Sequence, residues 1–294
     1  MALITEVAFH AHMRKRKIRG YVFYALCLTA VALGLLMLAA LLYNVLSEGL
    51  SRLSWDFITN FPSRFPERAG IHAAILGSIY VVSIAGLVAF SLGVGAAIYL
   101  EEYAQKGTFA SFIQLNIANL AGVPSIVYGI LGLEIFVRIM ELGKSVIAGG
   151  LTLALLVLPI VIIASQEAIR AVPPSLKEGG FALGATKWQV VRRLVLPYAF
   201  PGILTGAILA VSRAVGETAP LIVMGALTFV PFAPDGPMSR FTVLPIQIFN
   251  WVSRPQEGFH VAAAAGIIVL LVVLLTMNAF AVFLRHKFQK GTQW

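Results

Sequence analysis

An arginine and a glutamate lie four residues apart in the stretch SRAVGETAPL (212–221), which is otherwise small or apolar. Arg213 carries a planar guanidinium whose paired N–H groups match the oxygens of a phosphate or a carboxylate. Glu217 would lie on the same helical face, because residues i and i+4 are neighbours on a helix. The pair therefore has the chemistry to bind an oxyanion and to compete with that anion for the guanidinium.

The alternative is a pair that only neutralises itself and helps helices to pack. A well-packed apolar pair would often be at least as stable, and an arginine at the centre of a membrane span costs about 2.5–3.5 kcal/mol unless it faces an interior or a cavity. A role in a solute pathway is therefore favoured. On a continuous helix, the small and polar residues form one stripe facing that pathway: Gly206, Ala210, Arg213, Gly216, Glu217 and Pro220.

The elements that must position this pair are predicted from composition. Hydrophobic residues make up 59% of the 294 residues and charged residues 12%, against about 45–50% and about 25% in soluble domains. A bilayer core of about 30 Å requires about 20 apolar helical residues per crossing. Six runs qualify, approximately 21–46, 71–99, 120–140, 146–166, 200–230 and 259–284. The predicted fold is an all-α membrane protein with six transmembrane helices.

The basic residues orient this bundle. With residue 1 in the cytoplasm, the inner segments contain 14 Lys and Arg residues and the outer loops seven. Cytoplasmic segments carry such an excess, so both termini are predicted to be cytoplasmic and the net charge of +9 does not indicate a nucleic-acid surface. The predicted segments are a basic N-terminus (1–20), a first span with its outer loop (21–70), a transmembrane domain (71–284) with inner loops at 101–118 and 167–197, and a C-terminal tail (285–294).

The inner loop 167–197 has the signals of two short helices. Pro174 can open the first helix, and Gly184 can end it in the left-handed conformation that glycine tolerates. Thr186 can cap a second helix through its hydroxyl, and Pro197 is predicted to end it. The loop is therefore predicted to be helix, turn, helix.

Three interpretations of this loop compete. A DNA-binding helix-turn-helix has similar spacing, but tethering to the bilayer at both ends leaves it no room to enter a groove. A phosphate-binding loop fails, because Ala185 stands where the lysine is required, although Thr186 matches the Ser or Thr that follows. A docking surface is favoured, since apolar side chains occur where a solvated loop would have none: Phe181, Leu183, Trp188 and Val191.

The loop resembles the cytoplasmic coupling motif of ABC importer permeases: an acidic residue and two small ones, a glycine, then a branched apolar residue followed by x-Leu-Pro. Gly179 and Gly180 depart from it where the family favours alanine, as does Leu194 where it favours isoleucine. The resemblance implies a type I ABC importer permease-like bundle whose loop lies in a groove of a separate ATPase subunit. The implied coupling residues are Glu178, Gly184, Trp188, Leu194, Leu196 and Pro197.

Three further stretches, AIYLEEYA (97–104), AGVPSIVYGILGLE (121–134) and RAVGETAPL (213–221), resemble the phosphate-specific ABC transporter permeases, and the last is similar to their A-type subunit. The resemblance implies that Arg213 and Glu217 take part in phosphate passage. Pro124 and Ser125 are further candidates for the substrate pathway, because a proline break at membrane depth survives only inside protein or beside water. Packing of the neighbouring glycines accounts for that stretch equally well.

The same resemblance implies the assembly. One chain of six spans makes half a pathway, so we expect a second, C-type permease subunit, two ATPase subunits and an extracytoplasmic phosphate-binding protein in a bacterial inner membrane. ATP and Mg are expected on the ATPase; this chain is expected to bind no cofactor or metal, to have no catalytic residues and to bind no nucleic acid. The alternatives are a permease for another oxyanion or small solute, a self-contained ion-coupled carrier and a membrane-tethered regulator.

The sequence also predicts the roles of one outer loop and of two groups of charged residues near the ends of spans. The outer loop 231–259 has an apolar set that predicts a short interfacial or re-entrant helix, either as an aromatic belt or as a partner-binding element. Glu134 and Arg138 are predicted to be a structural pair near the outer boundary. Glu101 and Glu102 are predicted to lie at an interfacial anchor that ends the second span.

Overall fold

The computed structural model describes residues 2–105, 107–226 and 229–289, and every regular element in these ranges is helical. The α-helices are α1 (Ala2–Gly49), α2 (Trp55–Thr59), α3 (His72–Ile98), α4 (Thr108–Ala121), α5 (Ser125–Gly132), α6 (Val146–Arg170), α7 (Pro174–Ala182), α8 (Lys187–Val190), α9 (Leu196–Gly216), α10 (Ala219–Met224), α11 (Leu244–Val252) and α12 (Glu257–Gln289). Pro66–Arg68 is a 3-10 turn, and π-helical turns occupy Tyr99–Tyr103, Leu133–Ile139 and Val191–Val195.

The predicted set of six spans is confirmed, but two of the predicted runs are interrupted. Five helices of the described chain are long and apolar enough to cross a membrane, and a bent pair, Thr108–Ala121 and Ser125–Ile139, makes a sixth if counted as one span. The two halves meet at 101°. The predicted run 120–140 and inner loop 101–118 are therefore wrong in detail: α4 occupies most of that loop, and the chain bends where Pro124 cannot donate an amide hydrogen.

The predicted run 200–230 is also interrupted. α9 ends at Gly216, Glu217 is extended with φ −78° and ψ 125°, and α10 begins two residues later. Pro220 explains the break, because in a continuous helix its ring would clash with the carbonyl of Gly216. Gly225, with φ +96°, then ends α10 in the left-handed conformation.

The core of the bundle is α6, the most buried of the spanning helices, packed between α3 and α9. Small residues permit this close approach. A methyl group added at Gly150 would lie 2.6 Å from Cγ2 of Ile84 in α3, and one added at Gly202 of α9 would lie 2.8 Å from Cβ of Ala168. Such contacts leave no room for a side chain and fix the three helices as one packed unit.

The predicted outer loop 231–259 packs against the rest of the chain and buries most of its large apolar side chains. α11 confirms the predicted short helix, but Phe241, Ile246 and Trp251 are buried, with Trp251 1% exposed. Trp251 packs on Phe57, with ring centroids 5.8 Å apart. These side chains therefore fill the interior of the chain, and neither a lipid belt nor a partner surface accounts for them; Phe249, at 54% exposed, is the exception.

The helices of the first and last spans continue into the predicted terminal segments. α1 begins at Ala2 and thus includes most of the predicted N-terminal segment 1–20, and α12 continues to Gln289 within the predicted tail 285–294. Residues 1 and 290–294 lie outside the described residues. The apolar part of α1 is exposed along its length. α1 approaches the bundle at Gly49, which lies close to the backbone of Ala264 in α12.

Candidate functional site

Arg213 and Glu217 are in contact, as predicted, but across the break in the span. The Nε atom of Arg213 lies 3.4 Å from Oε1 of Glu217. Glu217 is held at this position by its own backbone, because its N–H donates to the carbonyl oxygen of Ala214 at 3.2 Å. The side chain of Arg213 is 56% exposed and that of Glu217 is 18% exposed. The carboxylate is thus mostly buried, whereas more than half of the arginine side chain is exposed.

This geometry leaves the guanidinium available. The glutamate contacts Nε only, and within the described ranges neither Nη atom of Arg213 has a hydrogen-bond partner. Those two nitrogens carry the N–H groups that can form a fork around an oxyanion. At 3.4 Å the contact with Glu217 is longer than an ordinary charge-assisted hydrogen bond, so an anion can compete for the same group.

The predicted stripe of small and polar residues is only partly correct. Ala210 and Pro220 are buried, and Gly206 lies against Ala164 of α6, so these residues serve packing inside the chain. Arg213 and Gly216 are exposed. The exposed face of α9 is therefore shorter than predicted and is concentrated at the helix break.

The other two pathway candidates lie at the other break. Pro124 is the N-cap of α5, with φ −56° and ψ 136°, and Ser125 is its first residue. Pro124 is exposed and Ser125 is half-buried. Within the part of the chain that is described, no hydrogen bond or ion pair joins either residue to Arg213 or Glu217.

The two breaks are nevertheless linked, because α5 packs on α10. A methyl group added at Gly129 of α5 would lie 2.7 Å from both Cα and the carbonyl oxygen of Pro220. Since both atoms belong to the backbone, no side-chain rotation could relieve that contact. Gly129 thus sets how closely the segment after Pro124 approaches the segment after Glu217.

We expect Gly129→Ala to destabilise the protein by about 1–3 kcal/mol, because one of the two helices must shift to accept the methyl group. The measurement is the thermal unfolding midpoint of the detergent-solubilised protein. Gly95→Ala is the matched control, since a methyl group there meets no atom within 4 Å. Equal midpoints for the two variants would contradict this account of Gly129.

The predicted helix-turn-helix of the inner loop is confirmed at its turn. α7 ends at Ala182, and Gly184 has φ +78°. Thr186 caps the next helix: its hydroxyl accepts from the N–H of Gln189 at 3.4 Å, and the side chain of Gln189 accepts from the N–H of Thr186 at 2.8 Å. This capping box fixes the direction in which α8 leaves the turn.

The predicted end of the second helix is wrong. The chain remains helical from Lys187 through Pro197 to Gly216. The π-helical turn Val191–Val195 precedes the proline and changes the hydrogen-bond register, which accommodates a residue without an amide hydrogen. The second helix of the loop is thus continuous with the span that carries Arg213.

Four of the predicted docking and coupling side chains are exposed, and three of them, Phe181, Leu183 and Trp188, form the tip of the inner loop. Leu183 is 90% exposed, and Phe181, Trp188 and Glu178 are also exposed. We call residues 181–188 the tip. Val191 is only 1% exposed, so its prediction as an apolar contact for a partner is wrong. Its neighbour Val190 belongs to a buried apolar cluster with Val195 and Ile169. Pro197 is exposed, whereas Leu194 and Leu196 are half-buried and pack beside that cluster.

Two carboxylates of the predicted interfacial anchor form ion pairs with the inner loop. Oε1 of Glu101 lies 2.6 Å from Nη2 of Arg170, and Oε1 of Glu102 lies 2.5 Å from Nζ of Lys177. Sequence reasoning missed these pairs because the partners are 69 and 75 residues apart. The available signal was an acidic dipeptide at the end of one span and basic residues in the next inner loop.

Glu134 and Arg138 form the predicted pair, at 2.8 Å, with both side chains more than half exposed. In the described part of the chain, no group of three or more His, Cys, Asp or Glu side chains is arranged to hold a metal ion.

The family described as "Binding-protein-dependent transport system inner membrane component" matches residues 89–290. "Probable ABC transporter permease protein YqgI" of Bacillus subtilis (strain 168) is 33% identical over 270 residues, which cover 88% of this chain and 91% of that protein. "Phosphate transport system permease protein PstA" of Haemophilus influenzae is 32% identical over 274 residues, covering 92% and 96%.

Solved structures share the fold. A bacterial alginate ABC transporter in complex with its alginate-bound periplasmic protein has a chain that aligns with a TM-score of 0.62 at 17% identity, covering 90% of this chain and 93% of that one. The MetNI methionine ABC transporter in an inward-facing conformation aligns with a TM-score of 0.57 at 17% identity, covering 74% and 96%. At these identities the alignments indicate a common architecture and not a common solute.

Proposed function

Because this chain belongs to the family of binding-protein-dependent transport system inner membrane components, we propose that it is a permease subunit of an ATP-driven importer for inorganic phosphate. The choice of phosphate as the solute rests on the exposure of the Arg213 side chain. Its guanidinium is exposed at a break within the fifth span and keeps both Nη atoms free of protein partners in the described ranges. Relatives named as phosphate permeases, aligned over nearly the whole chain, support the same choice.

Arg213 is the group that phosphate meets as it crosses. An arginine exposed to lipid at membrane depth would be costly, so its exposed face must lie against water or a second subunit. Glu217 holds the guanidinium when no anion is present and offers a competing negative charge when one is bound. This competition keeps the site from binding phosphate too tightly to release it.

The energy for transport comes from a partner. The tip presents apolar side chains at one end of the molecule, where they would be unfavourable in water without a partner. A groove in an ATPase subunit is that partner, and ATP and Mg bind to the ATPase. The full assembly contains this chain, a second permease subunit of the C type, two ATPase subunits and an extracytoplasmic phosphate-binding protein.

The chain lies in the bacterial inner membrane with both termini in the cytoplasm. The excess of Lys and Arg on the segments that carry the tip supports this orientation. Nucleic acid is not a partner, because the inner loop is tethered at both ends to helices that can span a membrane and therefore cannot enter a groove.

We expect the purified complex in liposomes to take up labelled phosphate only when ATP, the ATPase and the binding protein are all present. Unlabelled phosphate should compete for uptake, whereas excess sulfate should not. Uptake by this chain alone would instead support an ion-coupled carrier. Equal competition by sulfate would support a permease for another oxyanion, and ATP hydrolysis without uptake of either anion would point to another small solute.

A further inference from the structure

The π-helical turn Tyr99–Tyr103, which ends the second span, is attached to the inner loop by two charged contacts. Glu101 accepts from Arg170, at the end of α6, and Glu102 accepts from Lys177, in α7. The side chain of Glu101 is 14% exposed and that of Glu102 is 10% exposed. These two carboxylates are the acidic members of the most buried ion pairs in the described part of the chain.

Burial makes these contacts different from surface pairs. An exposed ion pair contributes little to the free energy of folding, because water and salt screen the attraction between its charges. A carboxylate that is nearly buried is strongly unfavourable without its partner, so separating the two elements is costly and they tend to move together. Glu167 provides the contrast: it also contacts Arg170, at 3.1 Å, but its side chain is 66% exposed.

A third contact attaches the other half of the loop to the same turn. Nζ of Lys187, the first residue of α8, lies 5.1 Å from the ring centroid of Tyr103. Beneath these contacts, Ala97 of α3 packs in one apolar cluster with Ile169, Val172 and Val190. Both short helices of the loop therefore contact the end of α3, while Leu183 and Trp188 of the tip remain exposed.

From this turn, α3 leads into the part of the bundle that carries the solute site. A methyl group added at Gly93 of α3 would lie 2.8 Å from Val161 of α6, and one added at Gly86 would lie 3.2 Å from Val211 of α9. Val211 is two residues from Arg213. A displacement of α3 toward α6 at Gly93, or toward α9 at Gly86, would therefore push on the neighbouring helix, because the side chains of Val161 and Val211 already lie against these glycines.

We propose that Glu101 and Glu102 are positioning residues that transmit movement of the tip into α3. The inference rests on the proposed function, because an ATPase must move the tip. In the resting bundle the two carboxylates fasten α7 and the end of α6 to α3. When the ATPase displaces the tip, α3 follows, and α6 and α9 move with it around the Arg213 site. α3 thus forms a second route from the tip, beside the direct continuation of α8 into α9.

The test compares the assembled wild-type complex with the double variant Glu101→Gln, Glu102→Gln. Hydrogen–deuterium exchange is measured for peptides of α7 and of α3, with and without ATP, and uptake is measured per ATP hydrolysed. We expect faster exchange in α7, loss of the ATP-dependent change in α3, and a fall of about threefold to tenfold in uptake per ATP. The ATPase should co-purify at wild-type yield, because the tip is unchanged.

Two further variants separate transmission from stability. Glu167→Gln removes an exposed carboxylate from the same arginine and should leave all readouts unchanged. The exchanged pair Glu102→Lys, Lys177→Glu restores an ion pair of opposite polarity; it should recover the ATP-dependent change in α3 that Glu102→Gln alone loses. Failure of the exchanged pair to recover this change, with the ATPase still bound, would overturn the proposal.

The outcomes distinguish this proposal from the proposed function. Exchange in α3 responds to ATP whether or not phosphate is the solute, so a wild-type complex that imports no phosphate contradicts the proposed solute and leaves this readout intact. Faster exchange in α7 with a normal ATP-dependent change in α3 would overturn the role in transmission and leave only a structural one. Unchanged exchange in both helices would overturn the fastening itself.

Discussion

Arg213→Gln is expected to lower ATP-dependent phosphate uptake by about a hundredfold, the size of losing roughly 3 kcal/mol of charged interaction with the anion. Glutamine has a similar volume but no charge, so the bundle should assemble and the tip should still bind the ATPase. Arg213→Lys should recover only part of the activity, because a single ammonium lacks the planar fork. The measurement is uptake by reconstituted complexes that contain equal amounts of each subunit.

Arg138→Gln is the matched control for that loss. Arg138 also pairs with a glutamate four residues away, at 2.8 Å, but it lies in the π-helical turn after α5, outside the break in the fifth span. A loss caused by removing any exposed arginine from the membrane domain would appear in both variants. A loss specific to the solute site should appear in Arg213→Gln only.

The double variant Arg213→Gln, Glu217→Gln separates transport from packing. If the two residues only neutralise each other, removing both charges should restore uptake that Arg213→Gln loses. If the arginine contacts the anion, the double variant stays inactive at normal expression. Near-normal uptake by the double variant would therefore contradict the role of Arg213 in the pathway.

Gly184→Leu is expected to separate the permease from its ATPase. Gly184 has φ +78°, and a residue with a side chain in the left-handed conformation costs about 1–2 kcal/mol. The turn between α7 and α8 should reorganise, and with it the relative placement of Leu183 and Trp188. We expect about tenfold less co-purified ATPase, as a loss of about 1.4 kcal/mol implies, and normal membrane insertion.

The structure provides a control for the backbone effect. A methyl group at Gly184 or at Gly179 meets no atom within 4 Å, but only Gly184 has a positive φ. Gly184→Ala should therefore weaken ATPase binding, whereas Gly179→Ala should leave it unchanged. Wild-type yields of ATPase with both Gly184→Leu and Gly184→Ala would contradict the docking role of this turn.

Local chemistry was predicted well where neighbouring residues decide it. Gly184, Thr186 and the contact between Arg213 and Glu217 lie where the sequence places them. A cap, a positive φ and a pair four residues apart depend on a few adjacent residues and on the geometry of one helix end. The apolar runs likewise predicted the spans, because the bilayer requires a minimum length of apolar helix.

Local breaks were predicted less well, although their causes are in the sequence. Pro220 ends α9 at Gly216, whereas Pro197 ends nothing, because a π-helical turn precedes it. The sequence alone does not show which of the two prolines ends a helix. Whether a proline interrupts a helix depends on whether the surrounding packing permits a change of hydrogen-bond register, and that packing comes from other parts of the chain.

The sequence by itself determined the helical class, the apolar runs that form the spans, the turn in the inner loop and the presence of an arginine–glutamate pair in an apolar span. Only the tertiary structure decided which side chains of those elements remain exposed. It placed Arg213 outward at a break, buried Val191 and Trp251 in the chain's own core, and joined Glu101 and Glu102 to Arg170 and Lys177. The physical reason is range: hydrophobicity, capping and helix spacing act over a few residues, whereas exposure and ion pairing between residues about 70 positions apart depend on how whole helices pack.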